Sequence, residues 1–259
     1  MLDEIIKNKI TEVENIKSNQ NYTLDKILSL DLPRKSFIKS LSTKIQSGKN
    51  AIIAELKRCS PSKGYLNKDL DIEKMAQTYE RSGAACVSVL TDTKYFKGSK
   101  EDLMLVKKSI HLPILRKDFI IDEVQIIESK LIGADCILLI VACLTPQRFK
   151  ELLDFSDHIG IDILVEVHNI EELYIALENN CKMIGINNRN LKTFDVDIET
   201  SIKLKRKIND KDVIVISESG IKDVDTIKVL NDNDIYAFLV GESLVIDDNP
   251  DITLKNLVG

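Results

Sequence analysis

The chain has 259 residues, a formal net charge of -5, and 44% hydrophobic against 30% charged residues. That balance suits an ordinary globular chain with a substantial core, and no apolar run is long enough to span a bilayer. The mild acidity, without a basic stripe or interleaved aromatics, excludes nucleic acid as the main partner. The opening MLDEIIKNKITEVENIK mixes both charges and lacks the cationic start and apolar core of a signal peptide, so the cytoplasm is the expected compartment.

The first fifty residues carry two helical patterns, around Leu2 to Ile16 and around Tyr22 to Leu30, and then a break at Asp31-Leu32-Pro33. They read as a helical extension packed on the body formed by residues 51–259, within one domain. From there, eight short apolar, β-branched runs follow in order: Ala51 to Leu56, Cys86 to Thr91, Ile114 to Lys117, Cys136 to Ala142, Asp162 to Val167, Met183 to Asn187, Val213 to Ser217 and Ala237 to Val240. Helical patterns fill the gaps. Ile72, Met75, Ala76 and Tyr79 are spaced i, i+3, i+4, i+7 and stop at Gly83. Thr145-Pro146 is an N-cap followed by proline at the first helical position, ahead of Phe149, Leu152 and Leu153. Asn169 with Glu172 forms a capping-box pattern for a helix through Leu177.

Eight strands alternating with helices predict an α/β chain with a parallel sheet, and eight strands close a (β/α)₈ TIM barrel, here with an N-terminal helical extension. An open doubly wound sheet is the alternative. It is disfavoured because no GxGxxG follows the first run and polar residues recur after nearly every strand instead of at one switch point.

Cys59, Cys86, Cys136, Cys143 and Cys181 form no CxxC pair and read as small core hydrophobes. With three histidines, no HExxH and no Cys/His cluster, no metal site is predicted. In a barrel of this kind the active site lies at the C-terminal strand ends. There the sequence places Glu55 and Lys57, Lys117 and Phe119, Glu166 and His168, and Asn187 and Arg189. Members two apart share a face, so two lysines and two carboxylates converge on the mouth and shift one another's pKa values. Taken singly, each has a plainer reading. Glu55 and Lys57 suit a salt-bridged barrel layer, Lys117 a charged loop with Arg116 and Asp118, His168 a hydrogen-bonded structural histidine, and Phe96 and Phe119 core positions. The last two strands run into Glu218-Ser219-Gly220-Ile221 and Gly241-Glu242-Ser243-Leu244. Glycines there expose backbone N–H groups to an anion at the start of a short helix, which predicts a phosphorylated small-molecule substrate.

These segments together resemble the indole-3-glycerol-phosphate synthase family of tryptophan biosynthesis. The resemblance covers nearly the whole chain. It rests on IIAELKRCSPSKG, YFKGS, PILRKDFIID, GADCILLIVACL, LVEVHN, IGINNRNL, SESGI and LVGESL, with KRxSPSKG through RKDFI the most specific part. It implies a lyase, a carboxy-lyase, that converts 1-(2-carboxyphenylamino)-1-deoxyribulose 5-phosphate to indole-3-glycerol phosphate, carbon dioxide and water without a cofactor. By family position, Lys117 is the acid that polarises the ketone, and Lys57, Glu55 and Glu166 share the later acid and base steps. Asn187 and Ser219 complete the catalytic set. The phosphate meets Lys57, Ser60 and backbone around Gly220 and Gly241; Arg189 and Glu218 face polar groups; Pro61, Phe96, Phe119, Leu138 and Leu191 supply a slot for the anthranilate ring. Glu242 sits beside the phosphate and must turn its carboxylate away. Cys59 is given no role. Phosphoribosylanthranilate isomerase and the tryptophan synthase α subunit share the phosphate loops but not the other features together, and a binding barrel without chemistry would have lost an acid or base retained here. The remaining expectations are no nucleic-acid or membrane partner, and a monomer or weak homo-oligomer.

Overall fold

The computed structural model describes residues 1–18, 22–30 and 35–259. Eight parallel strands, β1 (Ala51–Leu56), β2 (Cys86–Leu90), β3 (Ile114–Lys117), β4 (Cys136–Ile140), β5 (Asp162–Val167), β6 (Met183–Asn187), β7 (Ile214–Glu218) and β8 (Ala237–Val240), each pair with the next, and β8 returns to β1. Ile53 stands level with Leu239 on β8 and with Cys86 on β2, which closes the ring. The strands are buried on both faces, which is why each reads as an almost unbroken apolar run. Three strands differ from expectation: β2 stops at Leu90, one residue short of Thr91, and two others shift at their ends. The run after Ile140 tightens into a 3₁₀ turn at Val141–Cys143, and β7 begins at Ile214 so that Glu218 is its last residue.

Side-chain alternation sorts each strand between two cores. Ile52, Ala54, Val87, Ile137, Val165, Ile184 and Phe238 pack outward in the cluster shared with the surrounding helices. Ile53, Leu115, Leu138, Leu164, Ile216 and Leu239 pack inward with Phe37 and Leu41. One pleat further along, the inward positions become Glu55, Lys117, Glu166 and Glu218. A charged layer therefore sits directly on an apolar plug.

The extension holds three helices, α1 (Leu2–Lys17), α2 (Leu24–Ser29) and α3 (Phe37–Gln46). The first two fall where periodicity predicts them; the break at Asp31-Leu32-Pro33 lies outside the described residues. The third is a departure from the sequence reading. It seals the N-terminal end of the barrel with fully buried Phe37 and Leu41. The carboxylate of Asp162, at the start of β5, accepts hydrogen bonds from the Phe37 N–H (2.7 Å) and the Ile38 N–H (3.2 Å), placing negative charge at the helix N-terminus. Ser36 caps the helix and Phe37, Leu41 and Ile45 repeat every four residues, a signal visible in sequence. Among the barrel helices, Asp71 caps Ile72–Arg81, and Thr145 caps Pro146–Ile159.

Candidate active site

A cavity of about 770 Å³ opens at the C-terminal end of the barrel, and every residue assigned to the mouth lines it. Glu55 comes from β1 and Lys57, Ser60 and Pro61 from the loop after it, Phe96 from the short helix Thr93–Phe96 after β2, Lys117 from β3 and Phe119 from the loop that follows. Leu138 comes from β4, Glu166 from β5, Asn187, Arg189 and Leu191 from β6 and its loop, Glu218 from β7 with Ser219 and Gly220 just beyond it, and Gly241 and Glu242 from the turn and helix start after β8. An open groove of about 510 Å³ at the opposite end, beside Lys39 and Lys44, gathers no comparable set. His168 is the exception among the paired strand ends: its ring does not line the cavity but packs behind Glu166.

The charges form two connected groups. Lys117 Nζ donates to Glu166 Oε2 (2.9 Å) and to Glu218 Oε2 (3.2 Å), while Lys57 Nζ lies 2.5 Å from Glu55 Oε1. Asn187 donates through Nδ2 to Glu166 Oε1 (3.0 Å) and accepts at Oδ1 from the Ser219 hydroxyl (2.9 Å). Burial opposes the charge on Lys117, yet the carboxylates of Glu166, Glu218 and Glu55 prevail and hold its ammonium far above the ordinary lysine range. Burial likewise raises Glu166, but Lys117 and then His168 pull it well below a normal carboxyl. Glu218 moves the other way. Burial dominates, Lys117 offsets only part of it, and the negative charges of Glu166 and Glu55 add to the rise. Of the two carboxyls beside Lys117, Glu218 is therefore the one that holds a proton more readily.

Two glycines make room for these acids. A Cβ on Gly185 would collide with the Glu218 carboxylate, and one on Gly241 with that of Glu55. After β7, Ser219 (φ 66°) and Gly220 (φ 82°) are successive left-handed residues. The short helix expected there is absent; the next helix begins at Val224, capped by Asp223. After β8, a short helix does follow, at Glu242–Val245. Glu242 turns its carboxylate to Lys63 Nζ (2.5 Å) in the β1 loop, which frees the Gly241 turn from its charge. Ser60 Oγ, in the lining of the same cavity, is buried with no partner among the described residues.

One structural element of the mouth escaped the sequence reading. Lys9 of α1 is buried, and its ammonium lies 2.9 Å from Asp92 and 2.8 Å from Asp118. Asp92 Oδ1 accepts the N–H groups of Tyr95 and Phe96, and Asp118 Oδ1 that of Phe119. Phe96 and Phe119 face each other at 6.2 Å between ring centroids. One cation from the extension thus ties together the two loops that carry the aromatic wall. The signal was present: Lys9 falls between Ile5 and Val13 on the buried stripe of α1.

The sequence matches the family model described as indole-3-glycerol phosphate synthase over residues 2–257. The protein of that name from Acinetobacter baylyi is 40% identical over 262 residues, covering 100% of this chain and 96% of its own. That from Polaromonas naphthalenivorans is 45% identical over 225 residues, covering 87% and 85%. Among solved structures, thiamine phosphate pyrophosphorylase from Pyrococcus furiosus superposes with a TM-score of 0.60 at 12% identity, over 86% of this chain and 96% of that one. KGPDC from Streptococcus mutans gives 0.57 at 16%, over 80% and 95%. At such identities these likenesses speak for the barrel alone.

Proposed function

This chain belongs to the indole-3-glycerol phosphate synthase family, and from that premise we propose that the barrel mouth performs the ring closure, the decarboxylation and the dehydration in one cavity, as a carboxy-lyase. The observation that carries the reading is the protonated Lys117 clamped between Glu166 and Glu218 over an apolar floor. In the first step the ring carbon bearing the carboxylate bonds to the ketone carbon. The ketone oxygen takes the proton of Lys117 and becomes a hydroxyl. Loss of carbon dioxide from that ring carbon returns its electron pair and restores aromaticity. The hydroxyl then departs as water with a proton from Lys57, and a carboxylate, Glu55 or Glu166, removes the proton that completes the indole. Asn187 and Ser219 hold Glu166 in register through their shared hydrogen bonds.

Binding follows from the same geometry. The phosphate is assigned to Lys57, Ser60 and the backbone of Gly220 and Gly241, where two turns offer N–H groups and the unpartnered Ser60 hydroxyl stands ready. Arg189, whose guanidinium is anchored on the Phe194 carbonyl at 3.2 Å, faces the substrate's polar groups together with Glu218. Phe96, Phe119, Leu138, Leu191 and Pro61 receive the ring. Among the described residues no helix is long and apolar enough to cross a membrane; we place the protein in the cytoplasm, acting as a monomer or weak homo-oligomer.

The test is indole fluorescence on mixing purified protein with 1-(2-carboxyphenylamino)-1-deoxyribulose 5-phosphate. The chain contains no tryptophan, so product fluorescence rises from a low background. Folded protein that gives no rise would overturn the reading. A second expected outcome concerns the phosphate turns: millimolar inorganic phosphate should raise KM and leave kcat unchanged. Purely noncompetitive inhibition would move the phosphate site elsewhere.

A further inference from the structure

We propose that His168 is a positioning residue that fixes which of the two carboxylates beside Lys117 is ionised, holding Glu166 as the anion and leaving the proton on Glu218. The inference rests on the reading above, in which Glu166 works as an ionised group next to Lys117.

The geometry is asymmetric. Glu166 accepts hydrogen bonds from Lys117 Nζ at 2.9 Å and Asn187 Nδ2 at 3.0 Å, and His168 Nε2 stands 3.2 Å away at ion-pair distance, not aligned as a hydrogen bond. Among the described residues Glu218 hydrogen-bonds through its side chain to Lys117 alone, at 3.2 Å, and its Oε1 is buried without a partner. A buried carboxylate oxygen without a donor favours the neutral acid, and one facing several donors favours the anion.

His168 is built to stay charged. Its ring is 8% exposed, and each ring nitrogen faces a carboxylate oxygen, Glu166 on one side and Glu172 Oε2 at 3.1 Å on the other. Nδ1 is within hydrogen-bonding reach of Glu172, while Nε2 stands at ion-pair distance from Glu166 without hydrogen-bond alignment, and a ring flanked by two carboxylates is favoured as the imidazolium. Glu172 is held in turn by the His168 N–H (2.8 Å) and by Asn169 Nδ2 (2.6 Å). This is where the capping box departs from its sequence pattern. Asn169 accepts from the Glu172 N–H as expected, but Glu172 reaches back past Asn169 to His168. The helix cap has become the support of a cation. Burial lowers the basicity of the ring, yet Glu166 and Glu172 outweigh it and raise the pKa to about 9. Cys143, from the turn after β4, also faces this pair of carboxylates, and burial keeps its thiol neutral, while Glu218 faces Glu166 across Lys117.

The experiment compares pH profiles of kcat for the full-length protein and His168→Gln, a neutral side chain of similar reach. The acid limb is expected to move up by about one pH unit, a tenfold loss at a pH on that limb, because a lost cation raises its carboxylate partner. The alkaline side of the profile stays in place, because Lys117 keeps both of its carboxylate partners. In parallel, ring ¹⁵N shifts of the unaltered protein should show one imidazole still charged at pH 8, distinct from exposed His111 and His158. If His168→Gln is poorly folded, Glu172→Gln, outside the cavity, should move the limb in the same direction by less. A superimposable profile, or a neutral His168 ring at pH 7, would overturn the proposal. Glu166→Gln separates the two layers: if it stays fully active, the role given to Glu166 falls and His168 with it, whereas an inactive Glu166→Gln beside an unshifted His168→Gln sinks His168 alone.

Discussion

Lys117→Met is expected to retain substrate binding and to turn over roughly 10² to 10⁴ times more slowly, the usual contribution of a positioned general acid. Methionine matches the lysine in reach and fills the same space, so the apolar floor and the phosphate turns stay in place. What disappears is the proton donor, a cation that touches both Glu166 and Glu218. Both acids are buried, so Glu166, released from its depressed pKa, moves up towards neutrality in the variant. A second signature follows from the sign of that shift. A carboxyl with a depressed folded-state pKa stabilises the fold above its unfolded value and loses that contribution as pH falls, so the acid-side loss of stability due to Glu166 should be smaller in Lys117→Met than in the unaltered protein. Steady-state kinetics and denaturation between pH 4 and 8 check both. Near-normal kcat would remove Lys117 from the chemistry.

The strands were legible because burial on both faces writes each as a short apolar run, and the two-residue spacing of Glu55 with Lys57 or Asn187 with Arg189 showed which residues share a face. Which of them meet was not legible. Lys117 touches Glu166 and Glu218, 49 and 101 residues away, and only closure of the barrel creates those pairs. The same limit hid the function of α3. Its own periodicity marks a helix, but the Asp162 carboxylate that receives its N-terminus lies 125 residues on from Phe37. Local rules also misjudged two loops. Gly220 continues a left-handed turn instead of opening a helix, since Asp223 supplies the better cap, and Glu172 prefers a buried imidazole to the backbone N–H of its own cap. At Gly220 a better local cap three residues on wins, and at Glu172 a contact beneath the mouth outweighs the local preference.

Lys9→Met should be the most costly change for stability, about 3 to 5 kcal/mol at neutral pH, the range for removing one partner of a buried ion cluster. Asp118 keeps Arg116 at 3.3 Å and the Thr91 hydroxyl, so the larger loss falls on Asp92. That carboxylate is fully buried and would keep only the Tyr95 and Phe96 N–H groups at its Oδ1. Burial opposes the charge on Lys9, but Asp118 and Asp92 hold it protonated well above an ordinary lysine, so the cation is intact throughout the neutral range. The cost must therefore depend on pH through the acids. With Lys9 gone, Asp118 loses the first of the cations that hold its carboxyl below the ordinary range against burial, and the gap between variant and unaltered protein should narrow as pH falls from 7 towards 4. Asn in place of Asp92 still accepts the two N–H groups without a charge to bury. Lys9→Met combined with Asp92→Asn is thus expected to recover part of the loss, with a positive coupling in the double-mutant cycle. The recovery should extend to KM, because the same cap orients Phe96 against Phe119. Urea titrations of the two single variants and the double variant read the coupling directly. A single-variant loss under 1 kcal/mol, or strictly additive losses, would mean that the extension is held on the barrel by its apolar contacts, with Lys9 contributing little.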